Sequence, residues 1–252
     1  MSTLTKQDTF QVLLDSAPSS FSMMRTQAKV AYLAQGLPAL KEEEYKFTPI
    51  AKRLESKIKD YAIARPIAVS KEDIQSAVFE GFEGDILVFS NGKYLPELST
   101  SPEGITISSL SEVRNTPLGS IAKPEKDPFS ALNLASFSDG IFVGVPKKQK
   151  IEKPILLLSF NQANSGQVIQ PRVWIEAGDF SEVTFIDHSI STSEDSYFVN
   201  KVVEIKGGLN SHVNYYRLQN ESKNAIEVSN IHTDIFQDSR FTSVNLSLSG
   251  DM

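Results

Sequence analysis

Histidines and carboxylates are the side chains of this sequence whose types suit metal binding or acid–base chemistry. The chain has three histidines, His188, His212 and His232, separated by 24 and 20 residues. Imidazole is a common metal ligand, but ligands must converge on one point. These spacings do not keep the period of about 30 residues described below, so the three rings need not share one face. We interpret them as solvated or locally hydrogen-bonded histidines.

Four acidic residues, Glu176, Asp179, Glu182 and Asp187, lie close enough in sequence to line a groove. Polysaccharide-acting β-helix enzymes need a converging pair of carboxylates or a cation site. The spacing does not show such convergence. We interpret these carboxylates as a charged outer face, which keeps a mainly β protein from pairing edge to edge.

The sequence contains none of the common catalytic motifs. It has no Gly-rich phosphate loop, no Gly-x-Ser-x-Gly elbow and no His-Glu-x-x-His pair. A small basic cluster, Lys147, Lys148, Lys150 and Lys153, fits either an acidic partner or a charged loop between strands. We therefore predict that the chain is not an enzyme, with no catalytic residue and no metal ligand, and we assign no cofactor-binding residue.

Composition limits the class of protein. The 252 residues are 40% hydrophobic, which is enough for a sizeable core, and the net charge of −6 does not favour nucleic acid. The absence of cysteine excludes disulfides and thiolate ligation of zinc or an iron–sulfur cluster by this chain. No apolar run approaches the roughly 18 residues that cross a bilayer, and the first residues do not form a secretory signal. We expect a cytoplasmic protein.

The first part of the chain, residues 1–85, has helical periodicity and is predicted to be a small helical domain. A cap at Thr5 and Asp8 precedes a first helix that Pro18 ends. A second helix runs from about Phe21 to Gly36. Further short helices are predicted over 50–58 and after the Ser70–Asp73 capping pair.

The remainder, residues 86–252, is predicted to be mainly β. Asn91-Gly92 between two apolar runs predicts a hairpin, since both residues accept the positive φ of a type I′ turn. A single later helix is predicted from Pro128 to Ser136. Short apolar strands then continue to the end of the sequence.

These strands repeat. Residues 175–186 align without gaps on 205–216 at an offset of 30, and 236–246 follow as a weaker copy at an offset of 31. An earlier match places Ile155 opposite Val183, at an offset of 28. A recurring unit of this length buries its apolar face by stacking on its neighbours. We predict a β-solenoid, meaning a parallel β-helix, with a β-sandwich as the alternative.

Several stretches resemble the SufB/SufD family of iron–sulfur cluster assembly proteins. They are Gly36-Leu-Pro38 with Glu43-Glu-Tyr-Lys-Phe-Thr48, the run from Phe129 through Asp139-Gly140 to Pro154-Ile155, Pro171-Arg-Val-Trp-Ile-Glu-Ala-Gly178 and Asn200-Lys-Val-Val-Glu204. No single motif is as specific as a metal-binding signature, but their order and spacing agree with the family. The match over 36–48 favours the SufD type over the SufB type.

The resemblance implies a helical N-terminal domain, a right-handed parallel β-helix core and a role as a scaffold subunit. Its implied partners are a SufB-like subunit and a SufC-like ATPase, and an iron–sulfur cluster or flavin is implied only at the level of the complex. Family members continue beyond the length of this sequence with more β-helix and a C-terminal helical domain that contacts SufC. We therefore expect this sequence to be part of a longer chain, with the ATPase contact mainly in the missing part.

Two other functions stay open from the residues alone. The first is a carbohydrate-active β-helix enzyme, which a cluster of carboxylates and aromatic side chains on one face would favour. The second is a free-standing structural solenoid without a partner ATPase.

Overall fold

The computed structural model describes residues 10–15, 18, 20–39, 45–58, 61–113 and 116–251. Five α-helices lie within these residues: α1 (Gln11–Asp15), α2 (Ser22–Gln35), α3 (Ile50–Lys57), α4 (Lys71–Ala77) and α5 (Pro128–Ser136). The predicted helices over 21–36, 50–58 and 128–136 are confirmed. The predicted cap at Thr5 and Asp8 lies outside the described residues.

The helix ends follow local chemistry. Ser70 and Asp73 form a reciprocal capping box at the start of α4, as predicted. The carboxylate of Asp127 accepts hydrogen bonds from the backbone N–H groups of Phe129 and Ser130 at the start of α5. Gly36 ends α2 at a φ of 68°, a left-handed conformation that glycine adopts without strain.

Twelve strands lie in the described part of the chain. They are β1 (Asp85–Ser90), β2 (Lys93–Tyr94), β3 (Thr106–Ser109), β4 (Ile141–Val145), β5 (Ile155–Asn161), β6 (Val168–Ile169), β7 (Arg172–Ala177), β8 (Glu182–Ser191), β9 (Phe198–Gly207), β10 (His212–Asn220), β11 (Ile226–Ile235) and β12 (Arg240–Ser249). The predicted hairpin joins β1 and β2, with φ angles of 45° at Asn91 and 81° at Gly92.

The strands form two sheets that stack as a solenoid. Sheet A has the order β11-β9-β7-β4-β3, with β6 beside β9, and sheet B has the order β12-β10-β8-β5-β1-β2. From β7 onward consecutive strands alternate between the sheets, and each pairs in parallel with the strand one coil away. The fold is mainly β with a β-solenoid after the N-terminal helices, which confirms the predicted fold class and not the sandwich.

The register of the coils confirms one predicted offset and corrects two. His212 lies opposite Glu182, at the predicted offset of 30. Val213 lies opposite Phe241 rather than Val244, so the last coil is offset by 28 and not by 31. Because side chains alternate between the two faces of a strand, the wrong offset would have turned Val244 inward.

The earlier match also needs a shift of two residues. Ile155 lies opposite Phe185, at an offset of 30, and not opposite Val183 at 28. A shift of two keeps the inward and outward faces the same. Sequence similarity over a few residues identified the repeat, but it did not determine the register in which the strands pair.

The core has two main parts. Inside the solenoid, a stack of apolar side chains from both sheets includes Leu157, Phe185 and Ile205. Outside sheet A, α1, α2, α3 and α5 pack around Phe129, Trp174 and Phe198. The predicted boundary between residues 85 and 86 stays a prediction. In the ranges that the structure describes, no helix is long and apolar enough to cross a membrane.

Candidate functional site

The lumen of the solenoid is apolar in one half and polar in the other. Near the glycine-containing corners that precede β8 and β10, the inward side chains are Val183, Phe185, Val213 and other apolar groups. Toward the opposite corner the same faces carry Asp187, Arg217 and further polar residues, all buried. Such groups are stable in the interior only when paired or hydrogen-bonded.

Asp187 on β8 faces Lys201 on β9 across the lumen. Their side chains form an ion pair, and both are almost completely buried. The hydroxyl of Tyr215, one coil further on β10, donates to the second oxygen of Asp187 at 2.7 Å. Burial raises the pKa of this tyrosine well above its usual value, so it stays a neutral donor.

A second ion pair lies in the next coil. Arg217 on β10 contacts Glu227 on β11, and both side chains are buried. Burial raises the pKa of the Glu227 carboxyl, while the positive charges of Arg217 and Lys201 act in the opposite direction. Arg217 Nε and Glu227 Oε2 have no hydrogen-bond partner among the described residues.

Glu221 closes the polar half at the corner between β10 and β11. It is 2% exposed, and its carboxylate contacts Asn161 Nδ2 at 2.6 Å and the Tyr197 hydroxyl at 2.6 Å. Burial and then the neighbouring Glu227 charge raise the pKa of Glu221 to about 7, although hydrogen bonds oppose this. This acid therefore changes its charge near neutral pH.

A separate buried network joins the solenoid to α5. Arg172 on β7 and Glu204 on β9 form a fully buried ion pair on the outside of sheet A, and Asn133 of α5 accepts a hydrogen bond from the guanidinium at 2.8 Å. Glu204 also accepts from the backbone N–H groups of Gly119 and Ala122. The network fixes the segment before α5 against the sheet.

The three histidines lie at separate places. His188 is on the outside of sheet B, stacked on Phe79 at 5.1 Å, and burial lowers its pKa. His212 is exposed at the start of β10. His232 is on the outside of sheet A, 3.1 Å from the Ser130 hydroxyl, and burial lowers its pKa as well. In the described parts of the chain, no three acidic or histidine side chains are arranged to hold a metal ion.

Three of the four acidic residues from the sequence lie on the surface beside lysines. Asp179 contacts Lys147 at 2.9 Å, and Glu182 lies 3.6 Å from Lys150. Glu176 lies 3.3 Å from Lys206. The basic cluster is therefore at least partly paired within the chain.

The interpretation of Asp187 as part of a charged outer face is wrong. Its side chain points into the lumen, where Lys201 and Tyr215 neutralise and bind it. The period of two along β8 contained the signal, because Val183, Phe185 and Asp187 occupy the same face. Sequence reasoning also missed Lys201, Arg217, Glu221 and Glu227, whose partners are not neighbours in sequence.

The outer face of sheet B carries a continuous apolar surface, which we call the outer stripe. Its members are Ile86 and Val88 on β1, Leu156, Leu158 and Phe160 on β5, Ile186 and Ile190 on β8, Tyr216 and Leu218 on β10, and Val244, Leu246 and Leu248 on β12. Tyr216 is 38% exposed and Leu246 56% exposed, whereas Leu156 and Leu158 are buried. The stripe is therefore covered on the first coils and open on the last.

The strands β11 and β12 each have a paired neighbour on one side, β9 and β10 respectively. Both are ten residues long. Backbone N–H and C=O groups along the other side of such strands can pair with a further strand.

Comparison with known families agrees with this architecture. The family model of the SufBD protein N-terminal region matches residues 5–157, and the model of the SufBD core domain of SUF system FeS cluster assembly matches residues 160–252. The chain belongs to the SufB/SufD family. The resemblance predicted from residues 36–48 and 129–204 is thereby confirmed. Proteins of this family belong to the SUF system of iron–sulfur cluster assembly.

Individual SufB/SufD family members match parts of the chain. The iron–sulfur cluster assembly protein SufD of Escherichia coli K12 is 25% identical over 194 residues, which are 75% of this chain and 44% of the relative. SufD of Bacillus subtilis is 31% identical over 102 residues, 40% of this chain and 23% of the relative. A chloroplastic SufBD family protein of Arabidopsis thaliana is 29% identical over 126 residues, 46% of this chain and 22% of the relative. The chain spans less than half the length of these curated relatives.

Proposed function

We propose that this chain is a non-catalytic scaffold subunit of a cytoplasmic iron–sulfur cluster assembly complex. In the complex it pairs with a SufB-like subunit, and a SufC-like ATPase drives rearrangement of the pair. An iron–sulfur cluster is bound as cargo at the level of the complex, and a flavin, where one is present, also binds at that level. Membership of the SufB/SufD family supports a role in iron–sulfur cluster assembly. The β-solenoid fold supports pairing with a homologous solenoid subunit.

The observation that carries the proposal is the match of residues 160–252, which form most of the solenoid, to the SufBD core domain of SUF system FeS cluster assembly. A homologous solenoid presents strands of the same spacing, about 4.8 Å apart, so two solenoid subunits can join through main-chain hydrogen bonds.

The interior of the chain supports a structural role. The ion pairs Asp187–Lys201 and Arg217–Glu227 are enclosed by the coils, where a substrate has no access in the described structure. A buried pair of this type specifies one arrangement of its surroundings more than it adds stability. The same holds for Arg172 and Glu204 beneath α5.

The proposal is tested by co-expression of this chain, and separately of the full-length product of its gene, with SufB-like and SufC-like proteins of the same organism, followed by affinity purification. We expect the full-length protein to retain both partners. We expect this chain to retain only the SufB-like subunit or neither, because the expected ATPase contact lies in the missing part. Purification of the full-length protein alone would contradict the scaffold role.

A further inference from the structure

A small cavity lies among the N-terminal helices, beside a polar face of α2. Ser22, Arg25, Thr26 and Lys29 follow one another at spacings of three and four, so they share one face of the helix. These four residues line a cavity of about 260 Å³ together with Leu14 of α1 and Ala135 of α5. A water molecule occupies about 30 Å³ in the liquid, so the cavity has room for a small ligand.

Arg25 brings a fixed and incompletely paired charge to this cavity. The residue is 5% exposed, and its guanidinium carbon lies 4.2 Å from the centre of the Phe137 ring. Its Nε donates to the Ser20 carbonyl at 2.7 Å, and its Nη1 donates to the Ala135 carbonyl at 3.3 Å. The buried Nη2 has no hydrogen-bond partner in the part of the chain that the structure describes. A buried donor on a charged group is costly to leave unpaired, so an acceptor is expected there.

The charge around Arg25 favours a negative acceptor. Because Nη1 donates to Ala135, which lines the cavity, the charged end of Arg25 lies at the cavity wall. Burial lowers the pKa of Arg25 to about 10, and the positive charge of Arg172 acts in the same direction, whereas Asp139 opposes it. Arg25 therefore stays charged at neutral pH. Among the described residues, no carboxylate lines the cavity.

The start of α2 adds further free donors at the same place. Phe21 precedes the helix at a φ of 59° and provides no side-chain cap, and the first turn contains no acidic residue. In the described ranges, the backbone N–H groups of Ser22 and Met23 have no acceptor. Free N–H groups and the positive end of the helix dipole bind anions, phosphate above all. Since Ser22 also lines the cavity, the helix end and Arg25 border the same space.

The other polar groups favour a ligand that has a phosphate group. Lys29 forms an ion pair with Asp15 at 2.7 Å, and an ammonium group has two further donors. Ser22 and Lys29 are about 10 Å apart along the helix axis, so a phosphate at the helix end leaves Lys29 free to contact a substituent. Guanidinium groups and helix N-termini both suit the oxygens of phosphate.

We propose that the cavity between α1, α2 and α5 binds a phosphate group, held by Nη2 of Arg25 and by the free N–H groups at the start of α2. The source is either inorganic phosphate or a small phosphate monoester, since both present the same oxygens. The inference goes beyond the proposed function, because it needs no partner subunit. Failure of either one leaves the other standing.

The first test is a phosphorus-31 NMR titration of this chain, and separately of the full-length product of its gene. The probes are inorganic phosphate and glycerol 3-phosphate, in potassium chloride at about 0.15 M ionic strength. We expect both proteins to bind at least one probe with a Kd at or below about 1 mM, and the tighter probe identifies the source. Absence of binding to both probes would overturn the inference. Binding by this chain but not by the full-length protein would also overturn it, because the continuation of the chain would then supply the acceptor.

A matched pair of substitutions shows whether the phosphate binds in the cavity. Ser22→Asp places a carboxylate in the cavity at the first turn of α2, so we expect the Kd to rise at least about ten-fold and Tm without phosphate to increase. Met23→Asp adds the same charge to the same turn, but Met23 is 75% exposed and lies outside the cavity lining. Its Kd should change less than about three-fold.

Arg25→Gln removes the charge and should raise the Kd at least about ten-fold, with circular dichroism to check the fold. Because Arg25 also contacts Ser20 and Ala135, this variant can fail to fold, and the Ser22→Asp measurement then decides. Equal effects of Ser22→Asp and Met23→Asp, or no effect of either, would indicate an adventitious ion only and would overturn the inference.

Discussion

At the scale of single residues, protonation of Glu221 makes the stability of the fold depend on pH. A raised pKa means that the folded state holds the proton more tightly than the unfolded chain, whose glutamates titrate near 4.5. The stabilisation from this proton is complete below pH 4.5 and is lost as pH rises through about 7. Glu221→Gln stays neutral, so it removes this pH dependence. Its amide oxygen can still accept from Asn161, and its N–H group becomes a donor to the Tyr197 hydroxyl.

We expect Glu221→Gln to equal the unmodified protein in stability near pH 4 and to exceed it by about 1–3 kcal/mol near pH 8. Urea unfolding over this range measures the difference. Glu194→Gln, an exposed change at the corner one coil earlier, is the control and should follow the unmodified protein. Parallel curves for Glu221→Gln and the unmodified protein would show that Glu221 does not titrate in this range.

The ion pair of Asp187 and Lys201 supports a second prediction at this scale. Asp187→Leu leaves a buried ammonium group without its partner and deprives the Tyr215 hydroxyl of its acceptor. We expect a loss of about 3–5 kcal/mol in the free energy of unfolding. The double change Asp187→Leu with Lys201→Met removes both charges and should cost clearly less than the sum of the single changes. A thermodynamic cycle from four urea titrations tests this, and simple additivity would contradict it.

The same residues show what sequence alone reveals of a site. The outward positions of His212 and Tyr216 and the inward position of Tyr215 follow from alternation along a strand and agree with the structure. The network of Asp187, Lys201 and Glu221 does not follow, because its partners come from different strands and meet only after the coils stack. A charged residue on an otherwise apolar face was the available signal.

At the scale of elements, the cap of α5 can be tested directly. Asp127 accepts from Ser130 N at 2.7 Å, and Asn230 of β11 donates to the same carboxylate at 2.8 Å. We expect Asp127→Ala to lower the free energy of unfolding by about 1 kcal/mol, within a range of about 0.5–2 kcal/mol. Asp127→Asn keeps a capping oxygen and should lose less than half as much. Thermal and urea unfolding of both variants provide the comparison, and equal losses would mean that the cap is not the cause.

Element type was predictable here, whereas register was not. Local chemistry determines the capping box at Ser70 and the turn at Asn91 and Gly92, so a short window of sequence is enough. The pairing of Val213 with Phe241 depends on the length of the corner between β10 and β11. That corner is one residue shorter than the corner between β8 and β9, five intervening residues against six, and β10 is one residue shorter than β8, nine against ten. Together they lower the offset from 30 to 28, and no local motif marks the difference.

At the scale of the whole molecule, the lumen and the two outer faces of the solenoid have different roles. The lumen holds the coils together through apolar stacking in one half and ion pairs in the other. The outside of sheet A is occupied by the helices and by the buried pair of Arg172 and Glu204. The outside of sheet B is covered by the α4 region as far as β8 in the described residues.

This arrangement predicts a gradient of local stability along the solenoid axis. Strands β8 and β9 are paired on both sides, whereas β11 and β12 are paired on one, and each coil contacts mainly its neighbours. Opening should therefore begin at β11 and β12, and their amide hydrogens should exchange at least about ten-fold faster than those of β8 and β9. Hydrogen–deuterium exchange with mass spectrometry measures this for peptides from each strand. Uniform exchange across the coils would contradict the gradient.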